Sequence, residues 1–167
     1  EAKKATIAAA KYQGPVYIRL AREKTPQFTT NETPFEIGKA YVFAEGDDIT
    51  IIATGTMTYQ AMVAAEKLYK DGIDAEVIHV PTIKPLDTET ILASARKTKK
   101  VITVEEAQIS GGLGGVIAEL LAENCPAKMK RIGMKDRFGE SGAPDELLEH
   151  FGLTAKHITF AAHQLMD

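Results

Sequence analysis

The run Ile49-Thr50-Ile51-Ile52-Ala53-Thr54, the stretch from Thr58 to Asp71 and the run Glu76-Val77-Ile78-His79-Val80 decide the fold. Both short apolar runs have the character of buried strands. Between them Ala61, Ala64, Ala65 and Leu68 recur at helical spacing on one face, and Gly72 supplies a stop. Strand, helix and strand in that order predict a parallel βαβ unit. Toward the C-terminus the alternation continues. Asp87 is placed to cap a helix over 88–97, Val101-Ile102-Thr103-Val104 reads as a strand, 112–124 as a helix and 129–134 as a strand. Pro144 opens a short helix that closes at Gly152, and Thr154 caps the last one. Toward the N-terminus, 39–44 reads as one more strand. The residues Glu45-Gly46-Asp47-Asp48 after it are a turn signal, so 39–44 and 49–54 are expected to form an antiparallel hairpin. The pattern predicts an α/β fold: a three-layer α/β/α domain with a five-stranded, mostly parallel sheet and one antiparallel strand.

Upstream of Lys39 the composition changes. Ala2 to Lys11 reads as a helix, Gly14-Pro15 as its stop, and Val16-Tyr17-Ile18-Arg19-Leu20 as a strand. A lone helix and strand bury too little apolar surface to offset their ordering entropy, so this pair is expected to complete a sheet supplied elsewhere. Pro26, Pro34, Asn31 and several threonines then mark a linker. Three units are expected: 1–23, a linker over 24–38, and a domain over 39–167. Opening on Glu1 rather than Met, the chain is expected to begin inside a longer one or after processing.

At 167 residues the chain suits one domain with a short appendage. Lys and Arg number 20 against 23 Asp and Glu, a net charge of −3, so no footprint for nucleic acid is expected. The longest apolar runs, such as Val116 to Leu121, fall far short of the ~20 residues that cross a bilayer, and no membrane partner is expected. The single cysteine, Cys125, has no second thiol to pair with, which suits a reducing compartment and a cytoplasmic location.

The candidate chemistry is sparse. Ser110-Gly111-Gly112-Leu113-Gly114-Gly115 precedes a helix and is open to two readings, phosphate binding at the helix N-terminus or glycines that let the helix pack closely. It lacks the third glycine of a dinucleotide fingerprint, where Ile117 stands, and no P-loop lysine follows. Gly139-Glu140-Ser141-Gly142-Ala143 resembles a nucleophile elbow without its final glycine, with His150, His157 and His163 downstream, and reads better as a loop and helix cap. Glu105-Glu106 sits at a strand's carboxyl end. Adjacent strand residues face opposite ways, so one is expected to be structural and the other exposed. Arg22 lies just past the strand ending at Leu20, and its guanidinium is suited either to a phosphate or to covering a sheet edge.

Several stretches together resemble a known family. Gly14-Pro15-Val16-Tyr17-Ile18-Arg19-Leu20-Ala21-Arg22 resembles the closing strand of the pyrimidine-binding domain of thiamine-diphosphate enzymes. Thr82-Ile83-Lys84-Pro85-Leu86-Asp87, Val104-Glu105-Glu106-Ala107 and Gly111-Gly112-Leu113-Gly114 are similar to the C-terminal domain shared by transketolase, deoxyxylulose-phosphate synthase and the beta subunit of 2-oxoacid dehydrogenases. The run from Arg131 to Gly142, with Glu146-Leu147-Leu148 and Gly152-Leu153-Thr154, is most similar to transketolases, especially those split into two subunits.

The resemblance implies the C-terminal part of an enzyme that moves a two-carbon ketol unit between sugar phosphates with thiamine diphosphate and Mg2+, as in the pentose phosphate pathway. It implies that cofactor and metal sit in other domains, so neither is expected in this chain and the chain alone is expected to be inactive. Partners would be the remaining domains or an N-terminal subunit, and a second copy in a homodimer. Arg22 matches the arginine that holds substrate phosphate, although Ala21 and Glu23 depart from the usual serine and glutamine beside it. No catalytic residue is assigned. The alternatives are the same domain of a deoxyxylulose-phosphate synthase or 2-oxoacid dehydrogenase, or a stand-alone flavodoxin-like binding module.

Overall fold

A computed structural model describes residues 1–22 and 24–167 of the chain. Glu23, the expected end of the first unit, lies outside the described residues. The elements are α1 (Ala2–Lys11), β1 (Tyr41–Ala44), β2 (Ile49–Ala53), α2 (Met57–Lys70), β3 (Ala75–His79), α3 (Thr88–Thr98), β4 (Lys100–Gln108), α4 (Leu113–Asn124), β5 (Lys128–Met134), α5 (Pro144–His150) and α6 (Ala155–Met166). Among the described residues no helix is long and apolar enough to cross a membrane.

The five strands form one sheet in the order β1-β3-β2-β4-β5, with β1 antiparallel to β3 and the other pairs parallel. Alternate residues of the central strands feed two cores. Ile49, Ile51 and Ala53 of β2 pack with Ala61, Ala64 and Leu68 of α2 and with Ile158 and Ala162 of α6. Ile52 and Ile78 face the other way, onto Ile91 and Ala95 of α3 and Ile117 and Leu121 of α4. These are the three layers that the alternation predicts.

The expected hairpin between 39–44 and 49–54 does not form. β1 pairs instead with β3, Tyr41 opposite His79 and Val42 opposite Ile78, and β2 lies one strand further in. All five residues of β2 are buried, and parallel pairing with β3 and β4 takes both its edges. The half-exposed β1 is left to the rim. The glycine in the connection serves close passage rather than a tight turn: a Cβ at Gly46 would lie 2.4 Å from the Ala75 carbonyl carbon and 2.6 Å from Glu76 N.

Upstream, α1 forms as expected. Glu1 reaches the buried His79, whose Nδ1 meets Thr58 Oγ1 at 2.7 Å, and the Lys4 ammonium donates to carbonyls of Thr30, Asn31 and Thr33. The expected strand over 16–20 does not form among the described residues: the segment has no regular secondary structure and joins no ladder of the sheet, and Tyr17 and Leu20 are 89% and 59% exposed.

Local caps follow the sequence in part. Asp87 accepts from Thr90 N at 3.1 Å, closing the first turn of α3, and its other oxygen accepts from Ala40 N at 3.0 Å. Thr154 precedes α6 but its hydroxyl bonds Glu149 and His157. The amide of Ala155 is satisfied from α2, by Gln60 Oε1 at 2.9 Å. At Asp87, burial pushes the carboxyl up, but the bonds from Ala40 N, Thr90 N and Thr90 Oγ1, with Lys39 near, outweigh it and hold it below the ordinary carboxylate value. Because the folded carboxyl titrates lower than the unfolded one, this stability is present at neutral pH and is lost as pH falls through the folded value. Asp87→Ala is therefore expected to lower stability by about 2 kcal/mol near neutrality. In urea melts the gap from the parent chain should narrow below about pH 4. A gap that widens with acid would refute the assignment.

Candidate functional site

Open parallel sheets place ligands outside the carboxyl ends of their strands, where successive connections leave in opposite directions. Here that point lies between β2 and β4. From β2 the chain crosses through α2 to β3 on one side, and β4 flanks β2 on the other.

β4 runs past Val104 through both glutamates to Gln108, longer than the sequence pattern indicates. Alternation then separates them as expected. Glu105 is 1% exposed and turns under α4, while Glu106 is exposed. The Glu105 carboxylate receives Leu113 N on Oε2 and Gly114 N on Oε1, each at 2.8 Å. These amides open α4, where the helix dipole favours an anion. The chain thus supplies its own anion. A Cβ on Gly112 would stand 2.0 Å from Glu105 Oε2, and one on Gly114 would stand 2.8 Å from Thr103 Oγ1 and 2.9 Å from Arg131 Cδ. Of the two readings of the glycine turn, close helix packing accounts for these contacts, and the place a phosphate would take holds Glu105.

Glu106 serves the crevice itself. Its carboxylate accepts from Thr56 Oγ1 at 2.8 Å, and its carbonyl accepts from Arg19 Nη2 at 2.7 Å. Arg19 thus ties the upstream segment to the carboxyl end of β4. The sequence reading passed over it, although strand alternation already set Arg19 opposite Val16, Ile18 and Leu20. Arg22 follows three residues on, exposed at a bend.

The remaining candidates do not assemble. Ser141 is exposed in the loop after β5. Among the described residues the histidines are engaged elsewhere: His150 with Arg137 and Glu140, His157 with Thr154, and His163 with Asp71. Also among the described residues, no group of three or more His, Cys, Asp or Glu side chains is placed to hold a metal ion. With its amides closed by Glu105, the N-terminus of α4 is not open to a diphosphate.

The described residues thus form a three-layer α/β domain in which the chain's own Glu105 closes the N-terminus of α4. Residues 38–158 match the family model described as the transketolase C-terminal domain, and the chain belongs to that family. It is 49% identical over 156 residues to a 6-deoxy-6-sulfo-D-fructose transketolase subunit of Clostridium sp. (strain MSTE9), covering 93% of this chain and 48% of the relative. It is 38% identical over 162 residues to the 1-deoxy-D-xylulose-5-phosphate synthase of Heliobacterium modesticaldum, covering 95% of this chain and 25% of that protein. The solved structure of a split gene transketolase, an inactive beta4 tetramer, superposes with a TM-score of 0.93 at 42% identity, covering 97% of this chain and 53% of the other. The chain thus spans about half the length of the split-subunit relative, or less of the longer synthase.

Proposed function

We propose that this chain is the C-terminal portion of a thiamine-diphosphate-dependent transketolase that passes a two-carbon ketol unit between sugar phosphates. In this reading 1–23 closes the sheet of a pyrimidine-binding domain, 24–38 links, and 39–167 packs against the remaining domains or an N-terminal subunit and against a second copy. The observation that carries it is the segment over 16–20: a backbone in no ladder, apolar side chains exposed, tied to the domain by Arg19 on Glu106. Such a segment is spare in this chain and useful only in another sheet. The likeness to split transketolases, greater than that to the synthase, favours ketol transfer.

Arg22 is then the residue that grips the substrate phosphate, its planar fork of donors matched to phosphate oxygens. Thiamine diphosphate and Mg2+ belong to the other domains, and the chain alone is inactive. Calorimetry on the isolated chain with thiamine diphosphate and Mg2+ is expected to show no binding, and ketol transfer is expected to appear on adding the complementary subunit. Micromolar affinity in the chain alone would sink this reading.

A further inference from the structure

Beyond β5 come a loop, α5 and the start of α6. These segments enclose an open cleft of about 260 Å³ lined by Met134, Lys135, Arg137, His150, Phe151 and His157. Its polar lining is basic. The Arg137 guanidinium lies over the Phe151 ring, 4.4 Å from the centroid, which restrains the plane of its donors. Its Nη2 stands 2.6 Å from His150 Nε2. His157 spends Nδ1 on Thr154 Oγ1, at 2.9 Å, and lines the cleft with the rest of its ring.

From this arrangement we infer an anion site for a small phosphate monoester, held chiefly by Arg137 and His150. The cleft falls below the ~300–1,000 Å³ typical of drug-sized ligands, which suits a phosphate with a short carbon skeleton. An internal carboxylate already takes the anion's part: Glu140 Oε1 lies 3.4 Å from Arg137 Nη2 and 3.0 Å from His150 Nε2. This arrangement leaves a hydrogen-bonding conflict. In one protonation state Nε2 cannot both accept from Arg137 and donate to Glu140, so one contact is proximity without a bond. A phosphate monoester removes the conflict, because it offers oxygens to the guanidinium and, as a monoanion, an O–H to the imidazole. Glu140 is exposed in the loop after β5, and its contacts with Arg137 and His150 are exposed as well. Glu149, 4.0 Å from His157 Nδ1, is held by Lys156 at 3.2 Å and Thr154 at 3.0 Å. The site uses none of the residues assigned above to the sugar substrate.

The test is an NMR titration of the isotope-labelled chain with inorganic phosphate, then with a sugar phosphate and the same sugar unphosphorylated. Saturable shifts are expected at the side chains of Arg137, His150 and His157, in the millimolar range for inorganic phosphate, with none from the unphosphorylated sugar. Arg137→Ala should weaken binding roughly ten- to a hundred-fold, the value of charge-assisted bonds. Glu140→Gln should tighten it roughly two- to five-fold by removing an exposed competing charge. That opposite sign is what a merely structural cluster would not produce, and it tests the site even if Arg137→Ala fails to fold. Shifts that do not saturate, shifts centred on Arg19 and Arg22 instead, or weaker binding in Glu140→Gln would overturn the assignment.

Discussion

Glu105→Ala is expected to lower the stability of the chain by about 3–5 kcal/mol, the largest loss expected from a single polar side chain here. The carboxylate accepts two amides at 2.8 Å in a site 1% exposed, so truncation strands both donors away from water and removes the anion that the α4 dipole favours. Each stranded donor costs about 1–3 kcal/mol. Glu105→Gln keeps one acceptor oxygen and turns an NH2 group toward the second amide, so about half of the loss is expected. The same contact can be attacked from the helix. Gly112→Ala drives a Cβ to 2.0 Å from Oε2 and 2.5 Å from the Gln108 carbonyl oxygen, where the backbone cannot yield cheaply. Because both changes break one contact, the double variant should lose less than the sum. Urea unfolding at neutral pH followed by circular dichroism reads all of these. A loss under about 1 kcal/mol for Glu105→Ala would mean that water or another group replaces the carboxylate.

Arg22→Ala, measured in the assembled enzyme, is expected to reduce kcat/KM for phosphorylated sugars by about ten- to a hundred-fold, since each charge-assisted bond to phosphate is worth roughly 1.5–3 kcal/mol. The loss should fall mainly on KM if the phosphate is gripped alike in ground and transition states. Arg22→Lys should recover part of it, keeping the charge without the fork. Arg19→Ala is the useful comparison. Its guanidinium is committed to the Glu106 carbonyl, so its loss should loosen the upstream segment and harm phosphorylated and unphosphorylated sugars alike. If Arg22→Ala showed that same indifference to the phosphate, the assignment to Arg22 would fail.

Elements built on near neighbours were legible. Leu68 and its alanines mark α2 through i, i+3 and i+4 spacing, and Asp87 announces α3 because its acceptor and the Thr90 amide are three residues apart. The division of labour between Glu105 and Glu106 was legible too, since opposite facing is a property of any strand. The pairing of β1 was not. A turn signal at Gly46 describes four residues, whereas the choice of partner was made by β2, whose five buried residues took both neighbouring positions. Within the candidate site, the glycine turn could be seen but not read. The two meanings differ only in which anion meets the amides, and that anion comes from eight and nine residues upstream.

By itself, then, the sequence determined the alternation of strands and helices and the sparse chemistry of the domain, because periodicity and composition are local. The tertiary structure alone decided that β1 sits at the rim, that Glu105 closes α4, that Arg19 reaches Glu106, and that Arg137, His150 and Glu140 meet over one cleft. Each of these depends on groups that the chain brings together only after the sheet has ordered its strands. The energy of such meetings lies in buried hydrogen bonds and packed faces, which no spacing along the chain records.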